Sequence, residues 1–311
     1  MPTKLKTSDE ARNTTVTLAD DGELSVSLAA STVYFIEICV LFNSPAAAAI
    51  QVSTLYSGTL NGVGIQHFGT LARDNQTSSS QHTPRSFSAS TSWFTTGPAF
   101  AIAGSDVATS AGLYHFRGVM HTNTAGTLKV RWAQNVSNGS NTTVFAGSYI
   151  SYEAAADMPG LIVKMSDETR TNTASYAADA DLQYPVLAGE SYIAEMFMKW
   201  TSSSAPDFKH KLSDANVSQA VGGDRRHALA DDTQPSNALG NYAGVWTENM
   251  FTTPLEVGHV MGAIPFRMWA YWGLVQGGAD DVVACEWAQS TSSASPTTMN
   301  KYSWLWYEQV F

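Results

Sequence analysis

The sequence predicts an all-β chain of two tandem jelly-roll-like β-sandwich domains. Three observations predict it. Apolar and polar residues alternate over short stretches, at the two-residue period of a half-buried strand. No long stretch shows the 3.6-residue period of an amphipathic helix. The chain also repeats itself. Trp132-Ala-Gln134 returns as Trp287-Ala-Gln289, with ten identities over the 22 positions from Trp132 to Glu153 at an offset of 155. Lys6-Thr-Ser-Asp-Glu-Ala-Arg12 returns as Lys164-Met-Ser-Asp-Glu-Thr-Arg170, with twelve identities over the 32 positions from Lys6 to Glu37 at an offset of 158. Tyr34 and Glu37 thereby align with Tyr192 and Glu195. Agreement on this scale is far above chance and marks an internal repeat.

The copies share their ends and differ in their middles. That suits a jelly roll, which pairs its first and last strands within one sandwich. An immunoglobulin-like sandwich is the alternative, but its Cys…Trp…Cys frame is missing. The reading is a first repeat at 1–155, a linker at 156–163 containing Pro159-Gly160, and a second repeat at 164–311.

In order, residues 1–14 read as an arm or first edge strand. Leu24, Val26 and Leu28 alternate with serines after the acidic turn Ala19-Asp-Asp-Gly-Glu23. Val33 to Phe42 is apolar on both faces and predicts a strand covered on both sides. Residues 43–65 predict one or two short strands, and 66–110 a polar, loop-like insertion. Leu113 to Met120, the Trp132 stretch and Phe145 to Glu153 complete the first copy. The second predicts strands at 182–187, 192–200, 266–275, 282–289 and 302–307. Its variable middle, 201–262, has room for a short helix at Ser213–Ala220.

Composition narrows the function. Hydrophobic residues make up 44%, charged residues only 14%, and the net charge is −10. Ser, Thr, Asn and Gln cover the surface, which suits a rigid assembly component better than a metabolic enzyme. The densest basic cluster is Arg225-Arg226-His227, so no phosphate-neutralising face for nucleic acid is expected. No apolar run is long enough for a membrane helix and no signal segment opens the chain, which predicts synthesis and folding in a cytoplasm. The Asn-x-Ser/Thr sequons follow from composition. Cys39 and Cys285, one per repeat, read as free buried thiols.

No histidine pair, nucleophile elbow or phosphate loop is present, so no enzyme activity and no cofactor or metal is expected. Trp132 and Trp287 share the phase of their apolar neighbours and read as core, with each indole N–H needing a partner. Gln134 and Gln289 are positioned to tie down the following turns. Asp20, Asp21 and Glu23, with Asp179 and Asp181, resemble a calcium or hydrolytic carboxylate set, but duplication at a turn favours carboxylates capping their own backbone. Asp9, Glu10 and Arg12, with Asp167, Glu168 and Arg170, are expected to form an ion-paired clasp inside each unit. Glu37 and Glu195 are expected as partners of those arginines too, because a carboxylate in a covered strand needs one. An inter-subunit clamp is the alternative.

Several segments together resemble a group of tailed-bacteriophage virion proteins. They are Ser8-Asp-Glu-Ala-Arg12, Leu18-Ala-Asp-Asp21, Ala29-Ala-Ser-Thr-Val-Tyr34, and Trp132-Ala-Gln134 followed by Gly147-Ser-Tyr149. The second copy departs at Ala177-Ala-Asp-Ala180 and Tyr302-Ser-Trp304. The resemblance implies a structural protein located in the virion. The leading expectation is a capsid decoration (cement) protein that binds the assembled head through the major capsid protein or other virion proteins, as a homo-oligomer with a trimer favoured. A tail, baseplate or receptor-binding component is the alternative, and a carbohydrate-active enzyme on a jelly roll is a third class. Partner recognition is expected in the variable middles, 66–110 and 203–262, through Arg85, Trp93 and Phe94 in the first and Arg225, Arg226, Trp246 and Phe251 in the second. The alternative is that these aromatics pack each loop onto its own sandwich.

Overall fold

The computed structural model describes residues 1–45, 47–71, 87–88, 94, 100–102, 112–202, 206, 208–213, 217–221, 255–257 and 265–310. The chain divides into two units, Met1–Asp157 and Met158–Phe311.

The strands of the first unit are β1 (Thr3–Leu5), β2 (Glu10–Arg12), β3 (Ala19–Leu28), β4 (Val33–Asn43), β5 (Ile50–Tyr56), β6 (Leu60–Leu71), β7 (Phe87–Ser88), β8 (Phe100–Ile102), β9 (Gly112–Thr122), β10 (Gly126–Gln134), β11 (Thr142–Val144) and β12 (Tyr149–Ala154). One sheet has the order β1-β12-β4-β9-β6-β7, with β2 and β11 attached; the other is β3-β10-β5-β8. The antiparallel pairings nest: β1 with β12, β3 with β10, β4 with β9 and β5 with β8. A long hairpin rolled on itself produces this nesting, which is the jelly-roll topology.

After a 3₁₀ turn at Ala155–Asp157 the second unit repeats the plan. Its strands are β13 (Leu161–Val163), β14 (Glu168–Arg170), β15 (Ala177–Val186), β16 (Ser191–Ser202), β17 (Phe208–Ser213), β18 (Val217–Val221), β19 (Leu255–Val257), β20 (Pro265–Gln276), β21 (Asp281–Ala288), β22 (Thr297–Met299) and β23 (Trp304–Val310). The sheets are β13-β23-β16-β20-β18, with β14 and β22 attached, and β15-β21-β17-β19. The same four pairings nest. β13 occupies part of the stretch read as linker.

Each unit has its own core. Alternation puts Leu24, Val26 and Leu28 of β3, Ile36, Ile38 and Val40 of β4, and Leu128, Val130 and Trp132 of β10 into the first. Leu182, Tyr184 and Val186, with Met196, Met198, Val283 and Trp287, fill the second. Burying each such side chain contributes about 1.5–3 kcal/mol. Trp132 and Trp287 occupy matching positions, facing Ala19 and Ala177 on one neighbouring strand and Val52 and His210 on the other. Tyr34 and Tyr192 also match: each hydroxyl accepts a backbone N–H from five residues earlier, Ala29 at 3.0 Å and Leu187 at 2.9 Å.

Several elements differ from the sequence expectation. The insertion 66–110 includes the end of β6 together with β7 and β8, and β8 pairs the smaller sheet. Val217–Val221 is a strand rather than a helix, because its pairing with β20 overrides weak local preference. The closing strand is split into β11 and β12. The break includes a left-handed residue in both copies, Gly147 (φ 90°) and Tyr302 (φ 66°). β4 is covered on both faces only near Phe35, since Glu37, Cys39 and Leu41 are half-buried. In β16 the outward Glu195 and Phe197 are buried.

Candidate functional site

The residues shared by the copies converge on one constellation per unit. It begins with a bulge. Between Ser25 and Asp20, β3 takes five residue steps while β10 takes two, from Lys129 to Arg131. β15 does the same from Gln183 to Ala178 against Ala284 and Glu286. The extra residues turn Asp21 and Asp179 inward, where both are buried.

Asp21 Oδ1 accepts the backbone N–H groups of Glu23 and Leu24, each at 3.0 Å. Its Oδ2 accepts the Trp132 indole N–H at 3.0 Å. The Lys6 ammonium, 1% exposed, lies 3.0 Å from Asp21 and 3.2 Å from Glu10. In the second unit Asp179 accepts from Asp181 N and Leu182 N at 3.0 Å and from the Trp287 indole at 3.1 Å. Lys164 lies 3.0 Å from Asp179, 3.3 Å from Glu168 and 3.2 Å from Asp181. A lysine and an aspartate leave water together only when nearly every polar atom finds a partner, and here they do.

Arginine closes each constellation. Arg12 donates through Nε to Glu10 at 2.9 Å and through Nη1 and Nη2 to the carbonyls of Ala19, Asp20 and Trp132, with its guanidinium 4.0 Å above the Trp132 ring. Arg170 pairs with Glu168 and lies 3.9 Å above Trp287. These bonds are internal to each unit. The clasp expected within each segment is present, but Glu37 is not the partner of Arg12. Glu10 and Arg12 share a face of β2 at the two-residue strand spacing, whereas Glu37 points away from this corner. Gln134 donates to Ser140 O at 2.7 Å and accepts from Asn138 N at 2.9 Å; Gln289 donates to Ser295 O at 2.6 Å and accepts from Ser293 N at 3.0 Å.

Burial raises the Asp21 carboxyl, but the Glu23 amide, the Lys6 ammonium and the Leu24 amide outweigh it and hold it below the ordinary range. Burial lowers the Lys164 ammonium, and the Asp179 carboxylate reverses that to a net rise. Each group is thus held charged.

A second polar cluster lies on the outer face of the larger sheet of the first unit. Tyr149 donates its hydroxyl to Glu37 at 2.5 Å, His115 Nε2 lies 3.2 Å from Glu37, and Arg117 Nε lies 3.7 Å away. The hydrogen bond from His115 and then that from Tyr149 lower Glu37 to about 2. Burial and then the Glu37 charge push Cys39 up to about 11. At the positions matching Tyr149 and Cys39 the second unit has Trp304 and Phe197, stacked with centroids 6.1 Å apart.

Both carboxylates shift downward on folding, so their stabilisation is complete above the unfolded values of 3.8 and 4.5 and is lost as pH falls through the folded values. The contribution of these two carboxylates should therefore be constant from neutral pH to about 4.5 and drop towards pH 2. Urea midpoints measured across that range check this. Glu37→Gln should flatten the drop, and an unchanged acid limb would contradict it.

Among the expected contact residues, Phe94 is buried in the first core, edge-on to Phe116 at 5.7 Å. That placement corrects its reading as a contact residue: Phe94 packs its own sandwich. Arg85, Trp93, Arg225, Arg226, Trp246 and Phe251 lie outside the described residues. Cys285 is buried, but Cys39 is only half-buried. Among the described residues no group of His, Cys, Asp and Glu is arranged to hold a metal ion. Sequence reasoning missed the buried lysines, although Lys6 and Lys164 head the repeated segment at the same offset.

Fold and site together define a tandem jelly-roll protein whose shared polar residues bond internally. Scans of the chain against protein-family models and against curated proteins return no match.

Proposed function

We propose that the protein is a structural component of a tailed-phage virion, a decoration protein bound to the outer surface of the assembled head. One observation carries the reading: the residues that recur in both copies lock each sandwich from within. Such a chain offers a rigid, sparsely charged β scaffold. The motif resemblance supports the virion setting. The net charge of −10 suits a protein added from outside the particle rather than one bound to packaged nucleic acid. Its contacts would be the major capsid protein or other virion proteins, and closed homo-oligomers, a trimer first among them, would match the local symmetry of a head lattice.

The test is quantitative mass spectrometry with immunogold labelling of virions of the phage that encodes the chain. Hundreds of copies on the head are expected. A few to a few dozen copies on the tail would move the protein to the tail or baseplate. Its absence from virions, with the chain present in the lysate, would end the proposal. Sedimentation of the purified chain should show a trimer, and a monomer both free and on the particle would contradict that part.

A further inference from the structure

We propose that Asn138-Gly139 is a site of spontaneous deamidation, while the chain's other Asn-Gly pair, Asn61-Gly62, is protected by its place in the sheet. The chemistry needs no enzyme. The Gly139 N–H gives its proton to hydroxide, its nitrogen attacks Asn138 Cγ, and a new N–Cγ bond closes a five-membered imide; the Cγ–Nδ2 bond breaks and Nδ2 takes a proton from water to leave as ammonia. Water then opens either imide carbonyl and leaves aspartate or isoaspartate.

Three features of the β10–β11 loop favour the attack. Gly139 is exposed, and a Cβ built on it would meet nothing within 4 Å, so the nucleophile is sterically open. Its N–H makes no hydrogen bond with the described residues, so attack breaks none. The Ser140 N–H donates to Asn138 Oδ1 at 2.8 Å, and this oxygen gains negative charge when the amide carbon turns tetrahedral. A donor already aimed at a developing oxyanion lowers the barrier.

Asn61-Gly62 lacks this freedom. Gly62 is buried and sits in the β6–β9 ladder opposite His121. The Asn61 amide nitrogen lies 3.3 Å from His121 Nε2 and 3.5 Å from Thr122 O. Attack there requires the ladder to open first.

The repeat makes the site one-sided, because Ser293-Ala294 occupies the matching position in the second unit. The change would also reach the scaffold. Asn138 N donates to Gln134 Oε1 at 2.9 Å, and Asn138 O accepts from Thr14 N at 2.9 Å. An added negative charge, and in isoaspartate an added backbone methylene, falls on the residue linking those two segments.

The experiment ages the full chain in mildly alkaline buffer and maps deamidation by peptide mass spectrometry, with each event adding one mass unit. Asn138 should convert several-fold faster than Asn61 in the folded chain, and the difference should shrink in concentrated urea. Gly139→Ala, which has room for its methyl group, should slow conversion at Asn138 several-fold. Equal rates at the two asparagines in the folded chain, or an unchanged rate in Gly139→Ala, would overturn the proposal.

Discussion

Asp21→Ala is expected to destabilise the first unit by about 3–5 kcal/mol, the cost of breaking a buried ion pair from one side. The loss exceeds one hydrogen bond because four donors converge on this carboxylate: the Lys6 ammonium, the Trp132 indole and two backbone amides. Removing it leaves a lysine that is 1% exposed without its buried partner, with the half-buried Glu10 at 3.2 Å as its nearest remaining carboxylate. Adding Lys6→Met should recover part of the loss, since an apolar chain tolerates the buried site better than an ammonium that has lost its buried carboxylate. Urea unfolding of the two single variants and the double variant gives the coupling directly. Additive losses would show that Lys6 and Asp21 do not act as a pair.

Trp287→Ala is expected to cost the second unit about 3–5 kcal/mol through the cavity it leaves. Three contacts go with the ring: stacking on Phe208 at 6.0 Å, the Arg170 guanidinium at 3.9 Å, and the N–H that pairs Asp179. The first core consists only of residues from the first unit. Unfolding of this variant should therefore become biphasic, with the second unit melting first. Hydrogen exchange resolved by segment distinguishes the phases. A single transition with equal loss of protection in both units would contradict separate cores.

The strands at Leu24–Leu28 and around Trp132 were legible because one face of each is buried, and burial writes itself into alternation. The repeat made the pairing of first and last strands legible in the sequence. Residues 66–71 and 87–88 were not legible as strands, because a polar stretch such as Gln66-His67 facing Phe87-Ser88 is set by its partner strand more than by its own residues. Glu37 was misread as a partner of Arg12 for a geometric reason. Sequence supplied two candidate carboxylates, Glu10 and Glu37, but not which face of which sheet each occupies. Lys6 was overlooked because lysines are almost never fully buried unless paired, and its main partner lies fifteen residues away across a bulge. The contact residues were inferred from type alone, and Phe94 shows that an aromatic in a variable segment can belong to the core.

The central claim is that the repeated residues form the same internal lock twice. Indole N–H exchange of Trp132 and Trp287, measured by NMR on the full chain, tests it most directly. Both indoles should be strongly protected. Asp21→Asn should accelerate exchange at Trp132 while leaving Trp287 unchanged, and Asp179→Asn should do the reverse. Rapid exchange at either indole in the native chain, or an Asp21→Asn variant that leaves Trp132 protected, would contradict the account.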